Sequence, residues 1–233
     1  MKERTYNNFL VVRPIIDGMK TDYNGMPIIK MIDIKKIDEK NVRLTNFKNL
    51  NSIIFRNNTI VDMFNYDETI ESIWRNPFKY IAKFSGVLAI ASPDYSVYPN
   101  MNRFEIEHNV FKNRWLGAFF QCYNLEVIPT VTWAGEDTYD ICFSGLEKGT
   151  PVIISTLGVG DNKTMFLNGF NELKKRIDPR LIILVGKIID GMTGRFLSYK
   201  LSDTFNQRKS VEQLSFFGNT IIEIKGGEST YGW

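Results

Sequence analysis

Residues 86–98 read Gly86-Val-Leu-Ala-Ile-Ala-Ser-Pro-Asp-Tyr-Ser-Val-Tyr98. Gly86 to Ala91 is an apolar run of the length of a buried strand. Pro93 has no N–H to give to a sheet ladder, so the strand is expected to stop at Ser92-Pro93-Asp94. Asp94 then stands just past the carboxyl end of a strand. Open α/β sheets and α/β barrels place their ligands there.

The flanks repeat this grammar. Asp67–Pro77 predicts a helix: Ile70, Ile73 and Trp74 share a face, Glu68 and Glu71 suit its positive end, and Asp67 is the expected cap. Pro77 should break or restart it, with Phe78, Tyr80 and Ile81 leading into the central strand. Arg103–Tyr123 predicts a long helix with an apolar side of Phe104, Val110, Phe111, Trp115, Phe119 and Cys122. Strands follow at Leu125–Val131, Pro151–Ser155 and Leu181–Val185, with a helix over Thr164–Ile177 before the last. Residues 139–149 fit a short helix or a strand equally. Alternation of apolar strands with helices predicts an α/β fold with a mostly parallel central sheet and helical crossovers, extending to a partial or distorted barrel.

The ends are less regular. Residues 1–60 read as an irregular, β-leaning part, with short apolar runs at Phe9–Ile16, Met26–Ile34 and Ile53–Phe55 and a turn at Asp22–Gly25. Its asparagines (41, 46, 49, 51, 57 and 58) favour loops. Residues 60–190 form the βαβ core. Residues 191–233 form a C-terminal extension with a final strand at Thr220–Ile224 and a mobile end from Gly226. All three parts are expected to make one domain over residues 1–233, a size that allows a sizeable core.

Composition excludes several classes. Net charge is +3, far from the imbalance of a dedicated nucleic-acid coat. The two cysteines, Cys122 and Cys142, have no zinc spacing and suggest buried free thiols. No signal peptide and no run of about 18 apolar residues is visible, so a cytoplasmic protein with no membrane span is expected. His108 is the single histidine. Two-histidine nickases and HExxH chemistry are therefore excluded, and no GxSxG elbow supports a serine triad.

If the strands are parallel, their ends gather the candidate site. Asp94 and Glu136 are the candidate catalytic carboxylates, with Asp94 also a candidate metal ligand; Asp94 capping its own turn is the plain alternative. A divalent cation is the candidate cofactor. Ser96, Arg114, Trp133, Ser155, Thr156, Gly158 and Gly160 are the candidate ligand-binding residues. Glycines between a strand and a helix let backbone N–H groups face an anion, although Gly158-Val-Gly160-Asp-Asn162 matches neither GxGxxG nor a Walker A loop. The structural alternative there is a tight turn with Asp161 or Asn162 as helix cap. Trp133 serves either as a stacking platform or as a lid on the core. Arg114 serves a phosphate, a carboxylate or a structural ion pair.

Trp74-Arg-Asn-Pro77, Ser92-Pro-Asp-Tyr-Ser-Val-Tyr98, Asn113-Arg114-Trp115, Val127-Ile-Pro-Thr-Val-Thr-Trp133, Phe143-Ser-Gly145, Ile154-Ser-Thr-Leu-Gly158 and Pro179…Val185-Gly186 occur in this order. In this series the chain resembles a bacterial domain-of-unknown-function family of phages, plasmids and other mobile elements, over roughly residues 60–190. Some members are labelled rolling-circle-type plasmid replication proteins. The resemblance implies a mobile-element origin and a bacterial host cell, and carries no catalytic residues over. The label sits badly with one histidine, leaving only a nickase built on a metal at Asp94 with Tyr95 or Tyr98.

Two classes of function follow. One is a phage- or mobile-element protein that binds or processes a phosphorylated ligand, nucleotide or nucleic acid, at the strand ends. The other is a non-catalytic interaction protein acting on a host protein such as a defence component. Whether catalysis occurs, and the oligomeric state, are open at this level.

Overall fold

The computed structural model describes residues 13–200 and 220–224. The first half of the N-terminal run Phe9–Ile16, residues 9–12, falls outside them, as does the end from Gly226. Among the described residues the order is β1 (Arg43–Asn46), β2 (Thr59–Asp62), α1 (Asp67–Arg75), α2 (Phe78–Phe84), β3 (Ala89–Ala91), α3 (Arg103–Cys122), β4 (Val127–Ile128), α4 (Tyr139–Cys142), β5 (Val152–Ser155), α5 (Lys163–Arg176), β6 (Ile182–Val185), β7 (Gly194–Tyr199) and β8 (Thr220–Ile224).

Two four-stranded sheets run β1-β2-β3-β4 and β5-β6-β7-β8. Neighbouring strands pair in parallel throughout β1–β4 and β5–β7, and β8 pairs antiparallel on β7. A parallel bridge between Thr130 and Ile153 joins the sheets. There Val131 N donates to Ile153 O at 3.0 Å and Ile153 N to Pro129 O at 2.9 Å. Chain order and spatial order therefore agree from β1 to β7.

The pleat sorts the side chains into two faces. Leu44, Ile60, Ala89, Ala91, Ile128, Ile153, Ile183, Val185, Leu197 and Tyr199, drawn from all seven parallel strands, share one inner cluster. Their neighbours Val61, Ile90 and Val127 pack outward under α1, α2 and α3. Val152, Ile154, Ile182, Leu184 and Phe196 pack outward with Phe170 and Leu173 of α5. Apolar residues on both faces are what helix-covered parallel strands require.

A shared inner cluster means the sheet curls. Its two ends meet through side chains: Tyr199 Oη donates to Val42 O at 3.0 Å, and Arg195 pairs with Glu39 at 2.8 Å. Among the described residues no ladder pairs β1 with β7 or β8, so they form no closed barrel.

Pro93 stops β3 as expected: the strand ends at Ala91. α1, α3, α5, β5 and β6 lie within a residue or two of their expected limits. Residues 139–149, left between helix and strand, begin as the short helix α4. Ile53–Phe55 is not a strand; Ile54 is 63% exposed there. The strand forms instead at Thr59–Asp62, whose four residues are all buried. Met26–Ile34 contributes only isolated bridges at Pro27 and Ile29. Asp67 does not cap α1; its carboxylate accepts from Ser96 N at 3.1 Å and Ser96 Oγ at 3.0 Å.

Candidate functional site

The parallel strands point their carboxyl ends to one side, and a cavity of about 1250 Å³ opens there. Asp94, Ser96, Thr132, Trp133, Ser155 and Gly158 all line it, from the exits of β3, β4 and β5. Lys48, Asn65, Tyr66, Asp67 and Glu68 come from the segments after β1 and β2, and Asn162 and Phe166 from the start of α5.

Asp94 reaches the cavity as a partly exposed side chain. The Thr132 hydroxyl donates to its Oδ1 at 2.5 Å, tying the exit of β3 to that of β4. Burial raises the Asp94 carboxyl to about 6, against the lowering effect of the Thr132 hydrogen bond; the charge on Asp67 adds to the rise. A carboxyl in this range exchanges its proton near neutral pH.

Asp62 was not among the residues singled out from the sequence. It ends β2 and, two residues from the inward Ile60, belongs to the inner face of the sheet. It is 1% exposed. Its Oδ1 accepts from Asn46 Nδ2 at 2.7 Å and Phe64 N at 3.2 Å, while Oδ2 is buried without a hydrogen-bond partner. Burial raises it to about 7, with Asp94 adding a like charge. The signal in the sequence is short: only Ile60 and Val61 stand as apolar residues directly before Asp62.

Trp133 touches the cavity but is 8% exposed. Its indole N–H donates to Phe166 O at 3.2 Å, and its ring lies 5.0 Å from that of Phe166. Gly169 makes room for it: a Cβ there would lie 2.1 Å from the indole. It is a wall of the core with an edge on the cavity.

Four expected residues lie outside the lining. Glu136 is exposed on a one-turn 3-10 helix. Thr156 turns to Lys187 O at 2.8 Å, and Gly160 is exposed beyond the rim. Arg114 is 2% exposed and donates to Ser144 O, Thr130 O, Cys142 O and Asn113 Oδ1. Burial lowers its guanidinium to about 10. Among the described residues no group of three or more His, Cys, Asp or Glu is arranged to hold a metal.

Gly158 and Gly160 adopt positive φ of 78° and 48°, as a tight strand-to-helix turn requires. Asn162 occupies the N-cap position of α5 but makes no side-chain cap bond. The amino end of this 14-residue helix therefore meets the cavity without a side-chain cap.

The model of a domain of unknown function, DUF4417, matches residues 23–201. The chain belongs to the DUF4417 family. The Gene 1 protein of Mycobacterium phage D29 is 36% identical over 125 residues, 52% of this chain and 46% of the relative. The Gene 1 protein of Mycobacterium phage L5 is 35% identical over 136 residues, 57% of this chain and 59% of the relative. The chain thus spans about half the length of the curated relatives it matches. No solved structure matches it. The expected likeness to a phage-associated family of unknown function is confirmed; the replication label has no counterpart in these names. Every cavity-lining residue, from Lys48 to Phe166, falls inside the DUF4417 match. No helix among the described residues is long and apolar enough to cross a membrane.

Proposed function

We propose that the DUF4417 cavity binds a small phosphorylated ligand of nucleotide size in the bacterial cytoplasm, with Asp94 as the group that gives or takes a proton. The observation that carries this reading is one cavity bounded by two unlike ends. On one side stands a carboxyl that titrates near neutral pH. On the other is the uncapped start of α5, whose N–H groups and partial positive charge suit a phosphate.

The rest of the lining narrows the ligand. Asp67, Glu68, Asp94 and Glu105 face the cavity against a single Lys48. That balance repels an extended polyanion, so a nucleic-acid strand is disfavoured. A nucleoside monophosphate, or another phosphate ester with an uncharged polar body, places its anion on α5 and its hydroxyls among Asp94, Ser96 and Ser155. Tyr66 and Tyr98, 82% and 62% exposed, offer ring faces at the rim.

A thermal-shift series of nucleoside monophosphates, the matching nucleosides and inorganic phosphate tests this. A ligand at 100 times its dissociation constant adds roughly 2.7 kcal/mol of apparent stability. Monophosphates are expected to raise the melting temperature above either half alone. Asp94→Asn should weaken the shift about tenfold or more in affinity while leaving the ligand-free melting temperature at or above wild type. Equal shifts from unrelated anions, or an Asp94→Asn protein that no longer folds, would make Asp94 a structural residue and end the proposal.

A further inference from the structure

Three residues of α3, Asn109, Asn113 and Gly117, fall four apart and so share one helix face. That face lies against the exit of β3. Asn109 Nδ2 donates to Ser96 O at 2.8 Å, and Asn113 Nδ2 donates to Pro93 O at 2.7 Å. At Gly117 the approach is so close that a Cβ would lie 2.3 Å from Ile29 and 3.5 Å from Ser92 Cβ.

Asn113 also holds β4. Its second amide proton goes to Thr130 O at 3.3 Å, and its Oδ1 accepts from Ser92 Oγ at 2.8 Å and from Arg114 Nη1 at 2.5 Å. All four hydrogen-bonding positions of a carboxamide are thereby used. Ser92 Oγ accepts in turn from Thr130 N at 2.8 Å, and Thr130 Oγ1 donates to Ser92 O at 2.6 Å. Asn113 is 6% exposed and Ser92 and Thr130 are at most 1% exposed, so water offers no substitute for these bonds.

Two residues beyond this knot, on the segments that leave β3 and β4, stand Asp94 and Thr132. We propose that Asn113 is the positioning residue of the site: through Ser92 and Thr130 it locks the exits of β3 and β4 in one register, which brings the Thr132 hydroxyl onto Asp94. Asn109 holds the chain on the far side of Asp94, and Arg114 supplies the charge-assisted bond that orients the Asn113 amide. The device sits behind the cavity and touches no ligand.

The test reads the Thr132–Asp94 contact directly and needs no ligand, so it fails or succeeds separately from the ligand reading. The Thr132 methyl carbon is followed by NMR while pH is raised from 4 to 9. In the wild type it should show one step as Asp94 ionises, absent in Asp94→Asn. In Asn113→Ala and in the milder Thr130→Val the step should fall to less than half its size. Leu181→Ala, at the opposite end of the strands, should keep the full step despite its lower stability. A wild-type Thr132 without a step tied to Asp94 would overturn the proposal. So would a full step in both knot variants, or an equal loss in Leu181→Ala. Thr130→Val decides alone where Asn113→Ala does not fold.

Discussion

Asp62 ends β2 and Asp94 stands just past the end of neighbouring β3; both are carboxyls pushed upward by burial, to about 7 and about 6. The charge on Asp94 adds the smallest part of the rise at Asp62, after burial. Asp62 faces Asn46 and the Phe64 amide as well as Asp94; Asp94 faces Thr132 and the charge on Asp67. The folded value of Asp62 exceeds its unfolded value, so the folded state holds its proton more tightly. Its contribution is intact below about pH 4 and is lost as pH rises through 7. Asp62→Asn removes the buried charge and should make the protein more stable than wild type at pH 8, by ~2–4 kcal/mol. The two should converge near pH 4. Urea denaturation at both pH values checks this, and parallel profiles would contradict it.

Elements show why some of the fold was legible and some was not. β3, β5 and β6 carry apolar runs closed by Ser92-Pro93, Ser155-Thr156 and Gly186, so both strand and stop could be read. β1 and β2 are four residues each and mix Arg43, Thr45, Asn46, Thr59 and Asp62 with apolar positions. Their partner strands, not their own pattern, make them strands. β7 hides its period behind Arg195 and Ser198. For the site, strand ends were readable, which brought Asp94, Ser96, Ser155 and Gly158 into view. Arg114 was misleading because an arginine among Val110, Phe111 and Trp115 is buried with them, and its donors go to carbonyls. Where helices meet the sheet, glycines set the spacing, and their costs should differ. Ala is the better helix former by about 1 kcal/mol. At Gly169 that gain meets a rigid indole at 2.1 Å, held by its own hydrogen bond. At Gly117 the obstacle is the flexible end of Ile29. Gly169→Ala should therefore cost about 2 kcal/mol or more, and Gly117→Ala clearly less. Thermal unfolding of both variants checks the order; the reverse order would mean that Trp133 is free to move.

At the scale of the whole molecule, seven parallel strands laid down in chain order curl around one inner cluster. The curl, more than any single motif, brings carboxyl ends from β1 to β5 around a common opening. A second hollow, of about 580 Å³, lies by Gly86–Val87 and Leu125–Glu126, at the amino ends of β3 and β4. The two hollows give opposite readings of where a ligand goes. The deciding measurement is an amide NMR map recorded while the phosphate ester that most raises the melting temperature is titrated in. Binding at the carboxyl ends of the strands predicts that Ser96, Thr132, Ser155, Gly158 and Asn162 shift together along one saturation curve. Shifts confined to a single loop, or gathered around Gly86 and Glu126, would contradict it.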